Sequence, residues 1–134
     1  MSDDLIIRSL ELAVANAGDI TPAVYKKYFA RCQDSKALMI HVDELVRGKM
    51  MDEVYRLVMV EDYGEEDGYL NWEVDNHEMA YSVKPHMYES LFSALIETIC
   101  ESLGDEWNAD YAAAWKQRSD RLRHEIVRRF SEAV

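Results

Sequence analysis

The sequence predicts an all-α chain folded as one domain, on two observations. Apolar residues recur at steps of three and four along most of the chain, the period that places them on one face of a helix. The two prolines and four of the five glycines among 134 residues fall between these periodic stretches, where they punctuate helices without interrupting them. A chain of this length buries one core of moderate size, and 49% hydrophobic with 31% charged residues is a folding composition, not a disordered one.

Each element follows from local chemistry. Residues 3–17 form the first predicted helix: Ser2 is placed to cap it, Asp3 and Asp4 suit its positive end, and Gly18 suits a left-handed closing position. Leu5, Ile6, Leu10, Ala13, Val14 and Ala17 share its apolar face. Thr21 and Pro22 read as a cap and first-turn proline of a second helix with Val24, Tyr25, Tyr28, Phe29 and Cys32 inward. Residues 33–42 read as a looser connection. Asp43 caps a third helix carrying Val46, Met50, Val54, Leu57 and Val58. The run GEEDG (64–68) reads as a solvated loop, because the spacing and distal glutamate of a calcium loop are missing.

Residues 69–79 read as a short helix in which Leu70, Val74, His77 and Tyr81 recur on one side. Pro85 opens a long helix lined by Met87, Tyr88, Leu91, Phe92, Leu95, Ile96, Ile99 and Leu103, and Gly104 closes it. The last helix starts at Asn108 and carries Tyr111, Ala112, Trp115, Leu122, Ile126 and Phe130.

Charge narrows the partners. Fifteen Lys and Arg against 26 Asp and Glu give a net charge of −11, which repels nucleic-acid backbones and anionic lipid headgroups. The basic residues of 118–129 are spread round a helix and interleaved with acids, as a solvated face would be. Cys32 and Cys100 lie apart, outside any CxxC or Cys/His cluster, and read as buried free thiols. An acidic N-terminus, with no apolar run near the roughly 18 residues a membrane span requires, points to the cytoplasm.

Catalytic constellations are hard to find. No turn places Ser or Cys beside a His and an acid, and neither GxGxxG nor a P-loop pattern occurs. Neighbouring carboxylates such as Asp43 and Glu44 point in different directions on a helix. No Glu-x-x-His motif of a di-metal helical bundle occurs. One option remains, a single axial histidine in an all-helical pocket rich in aromatic, Met and Leu residues, which is what haem iron requires. The local argument leaves His77 open between ligand and ordinary helix histidine.

Several stretches together resemble the globins, most of all bacterial single-domain globins and the globin module of flavohaemoglobins. In YKKYFARCQDSKALM (25–39), Tyr25 matches the distal tyrosine that donates a hydrogen bond to the bound gas, and Phe29 matches a phenylalanine of the same helix. Met39 stands where globins carry a phenylalanine stacked on haem. LVRGKMMDEVYRLV (45–58) resembles the distal helix, with Val46, or next to it Arg47, at the distal position and Met50 one turn on. NHEMAYSVKPHMYESLFSAL (76–95) resembles the proximal corner, in which His77 matches the iron ligand and Tyr81 and Val83 the aromatic and branched positions beside haem. Tyr88 matches a tyrosine supporting the proximal histidine, Glu132 its carboxylate partner, and Trp115 the tryptophan of the last helix.

The resemblance implies a globin-like fold of A, B, E, F, G and H helices, with the D helix absent or very short. It also implies haem b and a diatomic gas (oxygen, NO or CO), for binding, sensing or detoxification. A homodimer and a separate reductase are the further partners it suggests, since no flavin or nicotinamide module is contained in these residues. Three departures support a rival reading. Met39 replaces the usual phenylalanine, the apolar Val46 stands at the distal helix position, and His77 needs one extra residue before Pro85. A globin-fold domain without haem, acting as a sensor or binding a partner or apolar ligand, is therefore the alternative.

Overall fold

The computed structural model describes residues 2–40, 42–59 and 85–133. Among them the chain forms six α-helices, one short 3-10 turn and no strand. The helices are α1 (Ser2–Ala17), α2 (Thr21–Arg31), α3 (Gln33–Leu38), α4 (Glu44–Met59), α5 (Pro85–Leu103) and α6 (Ala109–Ala133), with the turn at Gly104–Glu106. The predicted helix at 69–79, with Leu70, Val74, His77 and Tyr81, and the loop at 64–68 lie outside the described residues.

Helix α5 is the hub: α1, α2 and α6 all pack against it, while α4 leans on α1 and α6. Its wholly buried Ala94, Leu95 and Ile99 form the centre of one continuous core with Ile6, Ala13, Val24, Met51 and Trp115. Burying each large aliphatic side chain contributes about 1.5–3 kcal/mol. Surface pairs add register: Lys27 Nζ meets Glu101 Oε2 at 2.7 Å, and Arg31 pairs with Glu97, both tying α2 to α5. Such exposed pairs contribute at most about 1 kcal/mol each.

The helix ends show which local rules hold. Asp43 Oδ1 accepts the Val46 N–H at 2.9 Å, so the predicted cap forms, and Asn108 Oδ1, at the expected start of the last helix, accepts the Tyr111 N–H at 3.0 Å. Gly18 and Gly104 take positive φ angles of 73° and 56° at the ends of α1 and α5, where a Cβ would be strained. At α2 the cap differs from expectation. Thr21 donates its backbone N–H to Asp19 Oδ1 at 3.0 Å, while its hydroxyl sits 3.3 Å from Tyr55 Oη, bridging α2 to α4. The aspartate two residues back supplies the acceptor more directly than a side chain already inside the helix.

Three further expectations change. Residues 33–38, read as a loose connection, form the helix α3. On α1, Val14 is 56% exposed and Ala17 is exposed, whereas Ser9 is fully buried between Ile6 and Ala13. The inward stripe is Ile6, Ser9 and Ala13, at steps of three and four, with the polar Ser9 satisfied by donating to the Ile6 carbonyl at 2.7 Å. On α6, Arg118 is buried and donates to the Val58 carbonyl near the C-terminus of α4, so the basic run is not uniformly solvated. Cys32 is buried and Cys100 half-buried, both as free thiols.

Candidate functional site

The corner where α2, the α3 end and α4 meet brings together Tyr25 and Met39, two of the four residues predicted for the distal side. Tyr25, Tyr28 and Phe29 come from the inner side of α2, and their ring centroids lie 5.6 to 6.4 Å apart. Tyr25 and Tyr28 are buried, and Phe29 is half-buried against the core. Met39 follows α3 directly, its N–H bonded to the Ser35 carbonyl at 3.0 Å, and packs half-buried on the same core.

Helix α4 closes the corner with Arg47. The Tyr25 hydroxyl donates to the Arg47 carbonyl at 3.0 Å, and Arg47 Nη2 donates to the Met39 carbonyl at 3.0 Å. The guanidinium carbon stands 4.9 Å from the Phe29 ring centroid and 5.8 Å from that of Tyr25, cation–π range for both. Arg47 Nε is buried and has no hydrogen-bond partner among the described residues. An unpaired buried donor costs about 1–3 kcal/mol.

The phase of α4 decides which residues face this corner. Val46 is 44% exposed, and its N–H is spent on the Asp43 cap. Met50 is half-buried, while Met51 is completely buried. The inner stripe therefore runs Arg47, Met51, Val54 and Val58. The structure brings Tyr25, Met39 and Arg47 together and leaves Val46 outside the group. Tyr88 lies half-buried on α5 against the core. His77, Tyr81 and Val83 lie outside the described residues, as does the side chain of Glu132.

Electrostatics keep the phenols neutral. Burial, followed by the Tyr28 phenol, pushes Tyr25 up from 10.0 to about 12, with the Arg47 cation pulling the other way. Tyr28 is pushed up to about 12 by burial, against a hydrogen bond to Ser35 that lowers it. Ser35 Oγ lies 2.6 Å from Tyr28 Oη and 3.2 Å from Cys32 Sγ, which satisfies a buried serine next to the aromatic cluster. At neutral pH both tyrosines are hydrogen-bond donors, not anions.

The sequence offers Arg47 only as the alternative to its apolar neighbour Val46 at the distal position. The usable signal was the spacing of Arg47, Met51, Val54 and Val58, together with the ability of an arginine stem to bury its methylenes. Two surface depressions elsewhere do not reach this corner. One is lined by Leu5, Ala113, Ala114 and Gln117, the other by Phe92, Ser93, Ser119 and Arg123. Among the described residues, no group of His, Cys, Asp and Glu could hold a bare metal ion.

Comparison with known proteins places the arrangement. The chain is similar to PA3967 of Pseudomonas aeruginosa PAO1, a protein described as structurally highly homologous to a human hemoglobin. The two share 18% identity with a TM-score of 0.74 over 96% of this chain and 98% of that one, a likeness of fold. No curated protein sequence matches. The Globin family model matches residues 20–126, from the turn before α2 into the last helix, and the chain belongs to the globin family.

Proposed function

We propose that this globin binds haem b and a diatomic gas. The observation that carries the reading is the cluster of Tyr25, Phe29, Met39 and Arg47 in a chain of this family. Its chemistry fits a tetrapyrrole: aromatic and thioether surface for the ring, a neutral phenol to donate to a ligand, and a half-buried guanidinium whose buried Nε–H is unspent among the described residues. His77 would hold the iron, from its match in sequence, with Tyr81 and Val83 beside it and Tyr88 as the acceptor or donor that would orient the imidazole. Haem, when bound, would supply an iron able to take up a small ligand.

The residues of the chain then set how that ligand is received. Tyr25 keeps its proton across the physiological range, because burial holds it near 12. It can turn its hydroxyl from the Arg47 carbonyl toward a ligand. Met39, Met50 and Met51 give a softer, more adaptable wall than phenylalanine. Any turnover would draw electrons from a separate reductase, and the cytoplasm is the proposed setting. Among the described residues no helix is long and apolar enough to cross a membrane.

A haem-free sensor or binding domain is the second reading, favoured by one observation. Tyr25 and Arg47 already spend donors on the carbonyls of Arg47 and Met39, which locks the corner without a ligand. Titrating purified protein with haem separates the two. A Soret band that collapses in His77→Ala is expected; protein that never takes up haem, or a mutant with an unchanged spectrum, sinks the first reading.

A further inference from the structure

Arg47 carries donor capacity that the fold does not use. Its half-buried side chain holds the charge over two aromatic rings, 4.9 Å from Phe29 and 5.8 Å from Tyr25. One terminal nitrogen is spent on the Met39 carbonyl at 3.0 Å, while the buried Nε is unpartnered among the described residues. No carboxylate is paired with it among the described residues, in a chain whose net charge is −11. Ring faces attract the cation but do not satisfy N–H groups that lie in the guanidinium plane.

A fixed fork of donors with full positive charge, walled by phenol, phenyl and thioether, is selective for a small anion over a neutral molecule of the same size. A neutral gas gains little from the charge; an anion gains the charge and a hydrogen bond together. We propose that Arg47 makes the distal corner selective for small monovalent inorganic anions, so that the ferric protein favours them as sixth ligand. This deepens the haem reading and rests on it. Arg47 would act beside Tyr25, which donates to either kind of ligand, and would therefore set the preference between them.

Azide titration of the ferric holoprotein, paired with CO titration of the ferrous form, tests this in wild type, Arg47→Met and Arg47→Lys. In Arg47→Met the azide dissociation constant should rise roughly 10- to 100-fold, the range of one charge-assisted hydrogen bond. CO affinity should stay within about threefold, a change too small to reflect a lost ionic contact. Arg47→Lys keeps the charge without the fork and should fall between the two; should the methionine variant not fold, the lysine variant still must lose azide affinity relative to CO. Equal losses for azide and CO, or none for either, overturn the proposal. Weaker haem retention with unchanged azide affinity overturns it too and assigns Arg47 to the haem carboxylates. A wild-type protein with no Soret band fails differently, by removing the haem reading itself.

Discussion

At the α1–α6 junction Trp115 Nε1 donates to Ser9 Oγ at 2.8 Å, and the Ser9 hydroxyl in turn donates to the Ile6 carbonyl at 2.7 Å. At the α2–α4 corner Tyr25 donates to the Arg47 carbonyl and Arg47 donates to that of Met39, but Arg47 Nε is left over. Both places bury polar side chains between helices. The first closes its hydrogen-bond chain within the protein, so its polarity serves helix register and packing. The second keeps a donor and a charge in reserve, which is poor design for stability alone and suits a corner that receives something.

Removing the indole at the closed junction should have the largest effect. Trp115 is 1% exposed, and Trp115→Ala takes away both its volume and its bond, so chemical denaturation should show a loss of about 3–5 kcal/mol. Ser9→Val comes next, since it leaves the indole N–H buried without an acceptor and should cost about 1–3 kcal/mol. The two substitutions share one bond, so their losses should be less than additive in a double-mutant cycle. Strict additivity would mean that the junction is held by packing only and would break the comparison.

These contrasts were unevenly legible in the sequence. Caps at Asp43 and Asn108, the glycines at 18 and 104 and the opening of α5 at Pro85 follow from local chemistry and need no partner. Ser9 was hidden because a serine on an apolar stripe looks like an interruption until its acceptors are seen. Helix α3 was hidden for a similar reason: QDSKAL has six residues and no apolar face to reveal a period. At the candidate site Tyr25 and Met39 were readable from motif position. The phase of α4 was not, because Met50 and Met51 support two registers equally and the favoured one placed an apolar residue where the fold buries an arginine stem.

Arg47→Met asks whether the open corner is a stability element after all. The substitution abandons the bond to Met39 but also removes the buried, unpaired Nε, terms of opposite sign. In the haem-free protein its effect on unfolding free energy should be within about 1 kcal/mol, smaller than Ser9→Val. A loss as large as that of Trp115→Ala would place the corner in the same class as the closed junction.

A last effect is confined to the alkaline range. Tyr25 and Tyr28 bind their protons more tightly folded than unfolded, with values raised from 10.0 to about 12. Between those limits the unfolded chain has lost protons that the native one retains, so stability falls as pH rises. Their contribution is complete below the ordinary tyrosine value and is lost as pH passes through about 12. Denaturant midpoints should therefore decline over that window, and Tyr25→Phe should flatten part of the decline. Arg47 opposes the rise at Tyr25, so Arg47→Met should move the Tyr25 phenolate absorbance, isolated by subtracting the Tyr25→Phe spectrum, to still higher pH. A transition that stays in place would show that the guanidinium is not held over the ring in solution, and the open corner would lose the charge on which its distinction from the Trp115 junction depends.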